Sequence, residues 1–232
     1  NTCTIKREGE NWYVIFSCKV EKEVANKIEI KAVGIDGGCI GFATMSDGNT
    51  IVNPHFLRKS EKKLKDIQSK YSKLKTLPKE DKKKVKTKRV LVKLHCKVKN
   101  QRKDFLHKAS RKLVNEYSVI CVEKLGVKSM LKDSWRALNK SIFDSGWTTF
   151  RNMLHYKEVE AGSIVVEVNP AYTSQICSGC GVKVKKELID RIHKCETCGL
   201  EMSRDINASK NILRVGMDSL SNRKVTLEAH SL

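Results

Sequence analysis

The chain has 232 residues, 40% hydrophobic and 31% charged, with 46 Lys and Arg against 26 Asp and Glu and a formal charge of +20. That length and apolar content suffice for one core domain with a small appendage, and they exclude a disordered tail. Apolar runs such as Ile164-Val165-Val166 fall far short of the ~20 residues of a membrane span, no apolar secretory segment opens the chain, and the charge points to a polyanion, above all nucleic acid.

Taken in chain order, Trp12-Tyr13-Val14-Ile15-Phe16 and residues 28–32 read as strands. Val33-Gly34-Ile35-Asp36 follows, then residues 40–45 and 50–52, with Asp47-Gly48 as the hairpin turn between the last two. Residues 58–112 next hold 23 Lys and Arg against 5 acids, so 18 of the 20 net charges lie in this stretch. Leu57, Leu64, Ile67, Tyr71 and Leu74 recur at helical spacing, and the pattern resumes at Leu91, Leu94, Val98, Phe105 and Leu113. Pro78 breaks the first helix, which predicts a long antiparallel helical hairpin with lysine-covered outer faces. A solvated coiled coil is the alternative, but the acids are too few to balance the lysines. Lys82, Lys83, Lys84, Lys86, Lys88, Arg89, Lys97, Arg102 and Lys103 are therefore candidate contacts to a nucleic-acid backbone.

Residues 119–122 form a short buried strand. Residues 141–162 read as one helix with Ile142, Phe143, Trp147, Phe150, Met153 and Leu154 on one face, 163–168 as a strand and 205–215 as a helix. With the basic hairpin and a cysteine-bearing insert set aside, the order is β-β-β-α-β-α-β-α. That order fits a ribonuclease H-like α/β domain, a mixed sheet flanked by helices.

In such a domain three acids converge. Asp36 closes the first core strand, Glu123 the fourth, and Asp205 opens the last helix; the two strands are expected side by side with the helix across them. Three carboxylates at one end of a sheet are costly without cations, and oxygen ligands suit Mg²⁺ or Mn²⁺. Two such ions activate a water and stabilise the leaving oxygen of a phosphodiester. Singly, each acid has another reading: Asp36 capping a turn, Glu123 pairing with Lys124, Asp205 as a helix N-cap.

Nine cysteines are present, and four fall as Cys177-x2-Cys180 and, after fourteen residues, Cys195-x2-Cys198, each pair followed at once by Gly181 or Gly199. Two such knuckles supply four thiolates for one tetrahedral Zn²⁺ with no position left for water, hence a structural ion. Disulfides are the alternative, but the other five cysteines are scattered as in a reduced interior. His193 is either an accessory to this cluster or a surface residue.

Val33-Gly34-Ile35-Asp36 with Ala43-Thr44-Met45-Ser46-Asp47-Gly48 resembles the first motif of the TnpB/OrfB transposon-encoded nucleases. Asp104-Phe105-Leu106-His107-Lys108 leading to Val122-Glu123-Lys124-Leu125 resembles the second. Ala171-Tyr172-Thr173-Ser174-Gln175, the four-cysteine finger, and Arg204-Asp205-Ile206-Asn207-Ala208 through Asn211-Ile212-Leu213 are similar to the third. The resemblance implies an RNA-guided, RuvC-like DNA endonuclease related to type V CRISPR effectors, with Asp36, Glu123 and Asp205 catalytic, two catalytic Mg²⁺ or Mn²⁺, and one zinc on Cys177, Cys180, Cys195 and Cys198. It implies DNA and guide RNA as partners, and a cytoplasmic, nucleoid-associated place with no membrane.

Gly37 and Ser203 depart from the family pattern, which has a bulkier residue and often an acid at those positions. The family also carries a considerable N-terminal region, whereas about 30 residues precede the first motif and the sequence opens without Met, so a fragment is expected. On this reading residues 1–32 are the remnant of an N-terminal β-rich recognition domain, and 33–56 and 119–172 are the two parts of the core. Residues 57–118 are the basic hairpin with a connecting helix, 173–202 the zinc ribbon, and 203–232 the final helix and tail. A non-cleaving DNA- or RNA-binding descendant and a strand-transferring transposase are the alternatives.

Overall fold

The computed structural model describes residues 2–19, 29–126, 130, 136–187 and 189–229, so residue 28 of the predicted 28–32 strand lies outside the described residues. The chain divides into two compact units, Asn1–Glu23 with His55–Phe105 and Val24–Pro54 with Leu106–Leu232.

In the first unit, β1 (Thr2–Glu8) and β2 (Asn11–Ser17) pair antiparallel, from Thr2 with Ser17 to Glu8 with Asn11. Only β2 is apolar enough to stand out in the sequence; β1 exists through its pairing. Ile5, Trp12, Val14 and Phe16 on this hairpin are exposed. The two basic helices are α1 (Phe56–Lys73) and α2 (Lys82–Glu116), the latter contributing to both units. α1 ends before Pro78 requires it, with the Leu74 amide turning back to the Tyr71 carbonyl at 3.1 Å. α2 starts where Asp81 accepts from the Lys84 amide at 2.8 Å, a side-chain cap on a donor that otherwise has no partner within the helix. Glu10 in the hairpin turn pairs with Arg89 at 2.8 Å and Lys93 at 2.9 Å on α2.

The second unit is built on one five-stranded sheet. Its strands are β3 (Ala32–Gly37), β4 (Gly41–Met45), β5 (Thr50–Val52), β6 (Val119–Glu123) and β7 (Ile164–Val168), in the order β5-β4-β3-β6-β7. β3, β6 and β7 are parallel neighbours, while β4 runs antiparallel to β3 and β5. The sheet is therefore mixed, with the two acid-bearing strands side by side. Val33, Ile35 and every residue of Val119–Val122 are buried, as continuous apolar runs are when a strand is covered on both faces.

Three helices complete this unit among the described residues: α3 (Arg136–Ser145), α4 (Trp147–Ala161) and α5 (Arg204–Ala229). The single helix expected over 141–162 is two, because Gly146 takes a left-handed φ of 68° that no helix interior accommodates. The break resets the helical phase. Ile142, Trp147, Phe150, Met153 and Leu154 are buried as anticipated, but Phe143 is 59% exposed. α5 outruns the expected 205–215 because Met217 and Leu220 extend its apolar stripe over Val119, Cys121, Val166 and Val168. No described helix is long and apolar enough to cross a membrane.

α5 lies unusually close to the sheet. A Cβ on Gly34 would stand 2.0 Å from the Ser209 carbonyl oxygen and 2.6 Å from the Leu213 amide nitrogen, and one on Gly216 would stand 2.3 Å from Cys121 Sγ. Gly34→Ala is therefore expected to cost about 1–3 kcal/mol or more, the range for overpacking against a neighbour that cannot yield. Denaturant midpoints should show it, with Gly41→Ala, which meets nothing within 4 Å, as the neutral control.

Candidate active site and metal centre

Strand alternation fixes where the first two acids point. Successive strand residues face opposite sides, so Asp36 shares the α5-covered face with Gly34, and Glu123 shares it with Cys121. Ile35 pairs with Val122, and the acids are the next residue on each strand. Asp205 is the second residue of α5, in its first turn, which places it inside the helix and not at the N-cap position.

Electrostatics reports the convergence. The Asp36 carboxyl is pushed up to about 8, first by burial, then by the charges of Glu123 and Asp205, with Arg204 opposing. Glu123 is also raised by burial, against a 2.6 Å hydrogen bond that its Oε1 accepts from the Thr173 hydroxyl. Lys124 does not pair with Glu123; it faces Glu167 at 4.0 Å. The three carboxylates remain further apart than direct ligation of one ion by all three would bring them. Among the described residues only the four cysteines bring three or more His, Cys, Asp or Glu ligand atoms all within 4.8 Å of one another.

Several positioning residues carry no signal in spacing. Asn211 donates from Nδ2 to the carbonyls of Thr173 at 2.9 Å and Ile176 at 2.6 Å. Asn207 donates to Ile176 at 2.7 Å and accepts from the Ser178 amide at 2.9 Å. Both asparagines are buried and stand four residues apart on α5, the one pattern that could have marked them as a shared helix face. Gly37 lies against Trp147: a Cβ there would be 3.3 Å from the indole Nε1 and 3.4 Å from Leu125, so a larger residue requires the indole to give by a few tenths of an ångström.

The four cysteines form two equivalent knuckles. In the first, the Cys177 amide donates to Val182 and the Gly181 amide to Cys177, both at 2.9 Å; in the second, Cys195 donates to Leu200 at 2.9 Å and Gly199 to Cys195 at 2.8 Å. Each knuckle turns on a glycine at positive φ, 80° at Gly181 and 74° at Gly199, which other residues rarely adopt. β8 (Ile192–Lys194) and β9 (Glu201–Ser203) pair antiparallel beside them. Cys177 and Cys198 sulfurs stand 3.6 Å apart, Cys180 and Cys195 3.5 Å. The Cys198 amide, with the Cys180 and Cys198 thiols, brings Cys195 down to about 6. His193 is no surface residue: it is fully buried, with Nδ1 against the Lys186 ammonium, and is not part of the sulfur cluster.

The basic candidates all fall on α2. A cleft of about 880 Å³ in the first unit is lined by Arg7, Lys79, Lys84, Lys88, Arg89 and Lys93, with Glu10 its one acid. Four of its cations have protein partners. Arg7 donates to the Gly9 carbonyl at 3.2 Å and Lys93 pairs with Glu10 at 2.9 Å. Lys84 donates to the Lys75 and Leu77 carbonyls at 2.9 and 2.5 Å, and Arg89 pairs with Glu10.

Comparison with known proteins gives the family and the fold. The profile of OrfB_IS605, described as probable transposase, matches residues 15–134, and that of the Cas12f1-like TNB domain matches residues 147–212. The chain is 32% identical to the Escherichia coli (strain K12) protein named Putative RNA-guided DNA endonuclease InsQ, over 92% of this chain and 56% of that one. It is 33% identical to TnpB-like protein L79 of Acanthamoeba polyphaga mimivirus, over 88% of this chain and 41% of that one. The chain thus spans about half the length of the curated relatives it matches. A Cas12f1 solved by cryo-EM with sgRNA and target DNA shares the fold, with a TM-score of 0.55 at 19% identity, over 90% of this chain and 55% of that one.

The Asp36 shift has a measurable sign. Its carboxyl holds a proton more tightly when folded than at its ordinary value of 3.8, so its contribution is fully present below about 4 and is lost as pH rises to about 8. In metal-free buffer with chelator, the melting temperature of Asp36→Asn should therefore decline less between pH 4.5 and 8 than that of the unaltered chain. Parallel declines would remove the carboxylate crowding.

Proposed function

This chain belongs to the TnpB/OrfB family of probable transposases, and from that premise we propose that it carries the nuclease core of a mobile-element, RNA-guided DNA endonuclease with Asp36, Glu123 and Asp205 as catalytic acids. The observation that carries the reading is the buried Asp36 carboxyl, raised to about 8 beside two further acids. A fold does not keep carboxylates crowded in this way for stability.

The three acids would hold Mg²⁺ or Mn²⁺, whose preference for oxygen donors they match. When bound, a pair of such ions supplies activation of a water and stabilisation of the leaving oxygen at a DNA phosphodiester. The chain's own residues prepare that site. β3 and β6 fix Asp36 and Glu123 on paired backbones, and α5 carries Asp205 to them. Thr173 engages Glu123 Oε1 and leaves Oε2 without a protein partner among the described residues. Arg204 tempers the charge on Asp36.

Cys177, Cys180, Cys195 and Cys198 would hold one structural zinc. Tetrahedral thiolates at the usual ~2.3 Å Zn–S length stand roughly 3.8 Å from each other, and the observed sulfur separations of 3.6 and 3.5 Å are already near that. DNA and guide RNA are the polyanions, and the cleft of the first unit is the surface for their backbones. Residues 1–32 then belong to a larger recognition region.

Two outcomes test this. In a family-length protein carrying this core and its guide RNA, Asp36→Asn, Glu123→Gln and Asp205→Asn should each reduce Mg²⁺-dependent DNA cleavage to background with target binding nearly unchanged; normal cutting by all three leaves only a binding protein. Elemental analysis should give one zinc per chain, and Cys195→Ser should release it, since a serine hydroxyl stays protonated where a thiolate binds. Zinc-free, folded protein would refute the structural ion.

A further inference from the structure

Lys157 on α4 is 3% exposed and forms no ion pair with a carboxylate among the described residues. Its ammonium donates to the His107 carbonyl at 2.7 Å and to Ser110 Oγ at 2.6 Å, both on α2. The Ser110 hydroxyl itself donates to the Leu106 carbonyl at 2.7 Å, so it receives the lysine as an acceptor. An ammonium has three donors, and the two acceptors here are neutral. Buried charges are ordinarily paired, and this one is held at a cost, its pKa lowered by burial and by the charge of Arg111, with the Glu160 carboxylate opposing.

Around it lies an open cavity of about 480 Å³ lined by His107, Lys108, Arg111, Tyr156 and Lys157. His107 and Arg111 are one turn apart on α2. The Tyr156 hydroxyl meets His107 Nδ1 at 3.2 Å, and Arg111 is turned by a 2.7 Å bond to Glu160. No carboxylate lines the cavity. Three cationic side chains, an imidazole and a phenol therefore line a volume that fits a phosphate group with its first contacts, and Glu160 acts on the buried ammonium only through space, with no ion pair between them.

We propose that His107, Lys108, Arg111, Tyr156 and Lys157 form a phosphate site between α2 and α4 that takes a backbone phosphodiester of a bound nucleic-acid strand. The choice of nucleic acid rests on the nuclease reading; the anion site does not. A phosphodiester suits it better than an acidic peptide. It offers several acceptor oxygens at one point, matching donors that converge from two helices, whereas carboxylates on a peptide are spaced along a chain.

The test uses the whole chain and a fluorescent single-stranded oligonucleotide, with affinity measured across a salt series. Lys157→Met keeps the buried stem and removes the charge. It should weaken binding several-fold and reduce the slope of log affinity against log salt by about 0.7, the share of one phosphate on a single strand. Lys108→Gln, on the exposed rim, should lower the slope in the same direction and carries the test if Lys157→Met does not fold. Unchanged slopes in folded variants would overturn the proposal and leave Lys157 as a fastener between two helices. Inorganic phosphate should raise the melting temperature of the unaltered chain saturably, but not that of Lys157→Met. A phosphate response with unchanged oligonucleotide slopes would overturn the nucleic-acid source, as would polyglutamate binding that alone depends on Lys157. The nuclease reading fails separately, through cleavage by Asp36→Asn, which leaves the salt slope untouched.

Discussion

α5 seats on β3 and β6 only because Gly34 and Gly216 present no side chain there. At Gly34 the obstacle to any larger residue is the helix backbone itself, the Ser209 carbonyl and the Leu213 amide, which cannot rotate away as a side chain would. This contact sets the height and azimuth of the helix over the sheet, and so brings Asp205 within electrostatic reach of Asp36. The same helix carries Asn207 and Asn211 to the loop from Thr173 to Ser178. That loop delivers the Thr173 hydroxyl to Glu123. One close approach thus organises all three acids and the lead-in to the cysteine knuckles.

The charge distribution gives the arrangement its chemistry. A chain of formal charge +20 gathers three of its acids where two parallel strands end, and burial raises Asp36 and Glu123 further. Self-repulsion of this kind opposes folding, and it is tolerated where cations relieve it. Arg204 opposes part of it for Asp36 and stands 3.4 Å from Asp205 Oδ1. The proposed metals and the proposed backbone contacts are two sides of one electrostatic design: cations are drawn to the acids, polyanions to the lysines.

The cysteine ribbon shows a different economy. Its two strands are three residues each, too short to stabilise a sheet alone, and its order comes from repeated knuckle geometry at Cys177 and Cys195. Because Asn207 reaches from α5 to Ile176 and Ser178 on either side of Cys177, the ribbon is tied to the helix that bears Asp205.

Much of this was legible in the sequence, because it depends on local pattern. Alternation and apolar runs mark β3, β4, β6 and β7, cysteine spacing with glycine marks the knuckles, and lysine density marks the basic helices. Element order then makes Asp36 and Glu123 neighbours. What the sequence could not determine depends on contacts between distant segments. β1 is polar and takes strand form from its partner, and α3 and α4 separate at a single left-handed glycine. Phe143 is exposed and His193 buried, and Lys84 is engaged by the loop before its helix. Thr173, Asn207 and Asn211 gain their roles only when α5 is seated on the sheet, since a hydrogen bond across some 30 to 50 residues leaves no periodic trace. Spacing records what repeats along the chain, and tertiary packing alone decides which chemically able side chains meet.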